Sequence, residues 1–205
     1  VNGLVGSEMC IRDRTMAYDA KVNYMDVLGS VKYWDILIYN ELRKKNIVIP
    51  QKIQREKSDK FEGAYVKDPI VGLHKWVMSF DLNSLYPHLI MQYNISPETL
   101  VADKAVKNMS VEKMLNKEVD TSILKDATMT PNGALFKITQ KGFLPELMQK
   151  MYNDRVKFKQ LMIEAQKDYE KTKDPKLLRD ISKFNNIQMA KKISLNSAYG
   201  ALGNV

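Results

Sequence analysis

"SFDLNSLYPHLI", residues 79–90, sets a carboxylate, Asp81, at the end of the apolar-rich run Trp76-Val77-Met78-Ser79-Phe80, just ahead of a turn and a Tyr-Pro pair. The run "KWVMSFDL" (75–82) is too short for an ordinary helix and apolar enough for a buried strand, so the stretch reads as strand, turn and helix. Two explanations of the charge stand side by side. Asp81 caps the helix that Pro87 helps to start, or it is an acid held at a strand end for chemistry.

Working outward, "HLIMQYNI" (88–95) continues as a short helix that stops before Ser96-Pro97, because a residue preceding proline is pushed out of the helical region. Residues 98–125 carry no clear pattern. "ATMTPNGALFKITQKGF" (127–143) places two short runs around Asn132-Gly133, a hairpin signal because both residues tolerate positive φ. From there Leu144, Met151, Phe158 and Ala165 recur, with Leu147, Met148, Leu161 and Met162 between them, as a heptad-like seam. Asp174-Pro175 breaks that helix, and a second runs from about Leu177 towards Tyr199, giving an αα-hairpin that projects as an arm. Upstream, Val27, Val31, Trp34, Ile38 and Leu42 mark one helix face within residues 16–46. The stretch "IVIPQKIQREKSDKFEGAYVKDPI" (47–70) reads as a connector with a turn at Gly63. The fold class expected is α+β.

The chain has 205 residues, 44% of them apolar, enough for a packed core. Lys and Arg number 32 against 24 acids, and the net charge of +8 favours a polyanionic partner such as nucleic acid or nucleotide. Charged residues interrupt every apolar stretch well short of the roughly 20 residues that span a bilayer, so no membrane is expected. Residues 4–14, "LVGSEMCIRDR", look like the translation of a transposase-type sequencing adapter, so residues 1–15 are set apart from the fold as non-native. They hold the only cysteine, Cys10, and their charges (Glu8, Arg12, Asp13, Arg14) cancel, leaving the basic surplus to the remainder.

The arm carries polar residues at helical spacing. Arg155 and Lys159 are four apart, and Lys192, Asn196 and Tyr199 are spaced by four and three, so each set shares a face. Taken alone, such stripes describe a solvated helix surface as readily as a binding one.

"DLNSLYP" (81–87) and "KISLNSAYGALGN" (192–204) together resemble two signature motifs of family B DNA polymerases, in the same order and with a helical arm between them. The run "NISPETL" (94–100) extends the likeness towards replicative polymerases of tailed phages. "FEGAYVKDPI" (61–70) resembles the linker motif between exonuclease and polymerase domains, and "GFLPELMQKMYNDRVKFK" (142–159) the first fingers helix. The resemblance covers nearly all of residues 16–205.

The resemblance implies a partial polymerase palm with a two-helix antiparallel fingers arm, preceded by the end of an exonuclease-like domain. Residues 16–60 would close the exonuclease domain and its linker, 61–142 form part of the palm, 143–196 the fingers, and 197–205 the return into the palm. It further implies template-directed transfer of deoxynucleotides from dNTPs to a primer 3′-hydroxyl with two Mg²⁺ ions, a hard cation that takes carboxylate oxygen. Asp81 would be a metal-binding aspartate, with the Leu82 carbonyl as a further ligand. Amides around Ser84 and Leu85 would receive phosphate oxygens as helix N-termini do. Tyr86 matches the steric gate that leaves no space for a 2′-hydroxyl. Arg155, Lys159 and Lys192, with Asn196 close by, match the cations that grip the triphosphate; Lys192 is also a catalytic candidate. Tyr199, Gly200, Gly63 and Ala64 match contacts to the nascent base pair and template.

Two departures accompany the likeness. His88 stands where the family often has Ser. The third motif, usually Tyr-Gly-Asp-Thr-Asp and the source of the second metal aspartate, is not reached before Val205, while the last exonuclease motif would lie just upstream of Met16. The expectation is a fragment, itself inactive, of an enzyme working in the cytoplasm of an infected bacterial host on primer–template DNA, with a sliding clamp engaged through C-terminal parts. The alternatives are a non-catalytic nucleic-acid or nucleotide-binding module derived from a polymerase, and a basic α+β domain with polar surface stripes.

Overall fold

The computed structural model describes residues 8–49, 51, 66–102, 109, 111–119, 122 and 124–203. Six helices are described: α1 (Glu8–Ala20), α2 (Ser30–Lys44), α3 (Leu85–Gln92), α4 (Val111–Leu115), α5 (Phe143–Thr172) and α6 (Pro175–Leu202). Three short strands, β1 (Leu100–Ala102), β2 (Ala127–Met129) and β3 (Leu135–Lys137), form an antiparallel sheet in the order β1-β3-β2. The α+β expectation therefore holds.

Helices α5 and α6 form the antiparallel arm. Asp174 ends the connection as the N-cap of α6, its carboxylate accepting from the Lys176 amide at 2.9 Å, with Pro175 at the first helical position. Lys173 takes the left-handed conformation (φ 55°) that closes α5. The seam read from the sequence is buried over its proximal half: Leu144, Leu147, Met148 and Met151 join the core, whereas Phe158 meets only partial cover and stands 6.3 Å from the Phe184 ring. The distal half packs mainly helix on helix, so Phe158, Leu161 and Met162 keep partial exposure while the small Ala165 is buried.

The base of the arm is gripped by α1 and α2. Tyr33 and Trp34, each only 1% exposed, reach α6 through Tyr33 Oη to Ser194 Oγ (2.9 Å) and Trp34 Nε1 to Ser197 Oγ (3.0 Å). Buried polar tips find partners there, which lets two large aromatics fill a core without orphaned groups. The helix face expected over 16–46 is split: α1 ends at Ala20, Tyr24–Leu28 is a 3₁₀ turn holding Val27, and Gly29 opens α2 with Trp34 and Leu42 inward. Residues 8–15, set aside on the sequence, are helical and lead into Met16 and Ala20, which join the core.

The hairpin at Asn132-Gly133 forms as expected, with Gly133 at φ 86° and Asn132 Oδ1 accepting from Thr130 Oγ1 (2.6 Å) and the Ala134 amide (3.3 Å). β1, drawn from the unread stretch after residue 98, adds the third strand. The "NISPETL" run ties this sheet to the arm. Asn94 donates through Nδ2 to the Lys137 and Gln140 carbonyls (2.6 and 2.7 Å) and accepts from the Gly142 amide at 2.9 Å. Ser96 Oγ accepts from the Leu144 amide and Glu98 Oε1 from that of Phe143, so orphan N–H groups at the start of α5 are capped from outside the helix.

One expectation is corrected. Residues 75–82 are not a buried strand: they run without ladder partners, Trp76 is 98% exposed, and Val77, Met78, Phe80 and Leu82 are exposed with it. A strand is stabilised by its neighbours, and among the described residues only β1–β3 pair. Trp76 also sits at φ 60°, which interrupts the pleat. The connector turn at Gly63 lies outside the described residues.

Candidate active site

The turn Asp81–Ser84 brings the chain from this exposed run into α3. Ser84, not Asp81, is the N-cap, and it adopts the left-handed region (φ 53°, ψ 46°) without a capping side-chain bond. The capping explanation of Asp81 is thereby removed: Asp81 stands exposed, three residues ahead of the cap. Leu82 and Leu85 are exposed beside it.

Two residues far along the chain meet this turn. Arg155, half-buried on α5, donates from Nη1 to Ser84 Oγ at 2.7 Å, while its buried Nε has no hydrogen-bond partner among the described residues. A buried guanidinium N–H left unmatched is costly, and an anion would satisfy it. Tyr199 of α6 stacks on Tyr86 of α3 with centroids 4.6 Å apart and planes 12° from parallel. Both rings remain nearly half exposed, so the stack is a surface feature rather than core.

The remaining positions lie on the arm. Lys159 is exposed one turn beyond Arg155, and Lys192, Asn196 and Gly200 are exposed on α6. Lys191, next to Lys192, pairs with Asp19 (2.7 Å) and with Asp154 (3.7 Å), the neighbour of Arg155 on α5. Gly200 has open space where a Cβ would lie, so no contact among the described residues demands glycine there. Gly63 and Ala64 lie outside the described residues.

Sequence reading singled out no role for His88 beyond a structural one, and missed Tyr152. The His88 ring packs edge-on to Tyr152 of α5 (4.6 Å, 82°) and bonds the Ser84 carbonyl at 2.8 Å. The four-residue step from Ser84 to His88 on one helix face was the available signal.

Among the described residues no group of three or more His, Cys, Asp or Glu side chains gathers to hold a metal. The donors on offer are the exposed Asp81 carboxylate and the adjacent Leu82 carbonyl. That set fits Mg²⁺, which keeps several waters and is commonly bound by one or two carboxylates plus phosphate, better than an ion needing a closed protein cage.

Residues 30–205 match the profile of DNA polymerase family B. The chain is 31% identical to a "DNA-directed DNA polymerase" of Escherichia phage RB69, covering 93% of this chain and 25% of that protein. It is 29% identical to the corresponding polymerase of Enterobacteria phage T4 over the same shares. The DNA polymerase delta catalytic subunit of Candida albicans is 30% identical over 81% of this chain and 14% of its own length. The chain thus spans about a quarter of the length of the phage relatives. In fold it is similar to the family B DNA polymerase of the archaeon Pyrobaculum calidifontis, with a TM-score of 0.64 at 21% identity, covering 97% of this chain and 23% of that one.

Proposed function

We propose, from the premise that this chain belongs to DNA polymerase family B, that it supplies part of the active centre of a template-directed DNA polymerase using dNTPs. The observation that carries this reading is the meeting of three remote segments. Arg155 holds the Ser84 turn at 2.7 Å and Tyr199 stacks on Tyr86, so a cation and a ring pair meet the segment that follows Asp81.

In this reading Asp81 and the Leu82 carbonyl would hold Mg²⁺, which supplies charge stabilisation to the attacking and leaving oxygens when bound. The Ser84 and Leu85 amides, at the N-terminus of α3, receive phosphate oxygens. Arg155 binds the triphosphate through its guanidinium, joined by Lys159 and Lys192, with Asn196 alongside. Tyr86 bounds the sugar and excludes a 2′-hydroxyl, while Tyr199 and Gly200 face the base pair. Helices α5 and α6 are then the fingers, residues 61–142 part of the palm, and residues 16–60 the end of the exonuclease domain. Two-metal chemistry calls for a second carboxylate, which the described residues do not gather beside Asp81. The rest of the polymerase would provide it, and the 205-residue chain alone is expected to give no primer extension. With phage relatives as the guide, the setting is the cytoplasm of an infected bacterial host.

Asp81→Ala in a polymerase carrying this chain is the test. Transfer should fall about a thousandfold with primer–template binding retained. Unchanged turnover would refute the metal role. DNA binding by a wild-type protein that never transfers nucleotide would favour the non-catalytic module.

A further inference from the structure

The left-handed turn ahead of α3 is held from two sides by side chains of different elements. The Ser84 carbonyl accepts the His88 amide at 3.2 Å and His88 Nδ1 at 2.8 Å. A carbonyl only accepts, so Nδ1 carries a proton and donates. The same imidazole lies edge-on against Tyr152, while Arg155, three residues further along α5, holds Ser84 Oγ. A non-glycine residue in the left-handed region is strained and persists only where its surroundings over-determine it. Here the carbonyl, the hydroxyl and the helix beyond are all held.

We propose that His88 is a positioning residue for nucleotide binding. It fixes the Ser84 peptide in its left-handed conformation and keys the turn to α5 through Tyr152, so that the turn amides and Arg155 keep one geometry. This rests on the polymerase reading. Serine, which the family pattern often places here, is too short to bond the carbonyl and also reach the Tyr152 ring.

The chain holds only two histidines, which makes the test direct. His74 bonds the Ile70 carbonyl through Nε2 at 2.8 Å, so the two rings should show opposite tautomers. Imidazole nitrogen-15 NMR of the 205-residue chain at mildly alkaline pH should report His88 as the Nδ1–H form. His88→Asn keeps a donor near the Nδ1 position; His88→Phe keeps a ring against Tyr152 without a donor. The Ser84 carbonyl-carbon resonance should move in His88→Phe and return in His88→Asn. In a polymerase carrying this chain, His88→Phe should raise the dNTP KM roughly three- to tenfold with kcat within about twofold, and His88→Asn should recover most of that loss.

An Nε2–H tautomer at His88 would overturn the proposal. So would a KM equal in both variants and wild type with only the titrated fraction of active molecules reduced, the signature of lost stability. If the wild-type protein transferred no nucleotide, the polymerase reading would fall, while the tautomer and the Ser84 resonance would still decide whether His88 holds the turn.

Discussion

Gly142→Ala tests how α5 is set in place. Gly142 is buried at the N-cap of α5 with φ −71°, a conformation open to alanine, so the substitution brings no backbone strain of its own. The obstacle is space. An added Cβ would lie 2.5 Å from Ser96 Cβ, 3.0 Å from Ser96 Oγ and 3.3 Å from Pro145 Cδ. Carbon atoms prefer about 3.5–4.0 Å, so the two segments must part by roughly 1 Å. Neither can do so freely, because Ser96 is 2% exposed and its hydroxyl bonds Glu98 at 2.6 Å. Overpacking of this kind costs about 1–3 kcal/mol, and each cap bond lost adds about 0.5–1.5 kcal/mol. Lower unfolded-state entropy offsets about 0.4–1 kcal/mol. The net expectation is a loss of about 1–3 kcal/mol, or a Tm fall of roughly 3–10 °C for a chain of this size. Thermal unfolding followed by circular dichroism reads it directly. The matched control is Gly200→Ala, where nothing stands within 4 Å and the helix gains up to about 1 kcal/mol. A Tm unchanged or raised in Gly142→Ala, or the same sign of shift in both variants, would refute the close-approach argument.

Other consequences can be read in parallel. Tyr86→Ala removes one partner of the Tyr86–Tyr199 stack and, in a polymerase carrying this chain, should increase ribonucleotide incorporation by at least about tenfold in primer extension, because exclusion by shape disappears with the ring; an unchanged ratio would remove Tyr86 from that role. Tyr33→Phe should cost about 1 kcal/mol in denaturant unfolding, since Ser194 keeps only its bond to the Ala190 carbonyl. Burial raises the Tyr33 pKa and outweighs the opposing bond to Ser194. A raised folded value contributes stability that is full below the unfolded pKa, about 10, and is lost as pH rises through the folded value. The alkaline decline should therefore be shallower in Tyr33→Phe than in wild type.

Local chemistry made much of this protein legible in its amino-acid order. The Asp174-Pro175 break, the Asn132-Gly133 turn and the run from Leu144 to Ala165 each act within a few residues, through capping, positive φ and helical periodicity, and each appears where the pattern placed it. The turn at Ser84 and the polar stripes of the arm were visible as residue types at spacings. What they touch was not, because contacts between Ser84 and Arg155, or Tyr86 and Tyr199, span 71 and 113 residues and depend on how the arm is set. The run at 75–82 misled for the same reason: an apolar stretch states that a chain can be a strand, while only neighbouring backbone makes it one. Tertiary structure decided that Ser84 rather than Asp81 caps α3, that His88 donates to its carbonyl, and that Asn94, Ser96 and Glu98 complete the start of α5. Hydrogen-bond partners are chosen by what packing brings within about 3 Å. That choice is made by the whole chain and is written in no single segment of it.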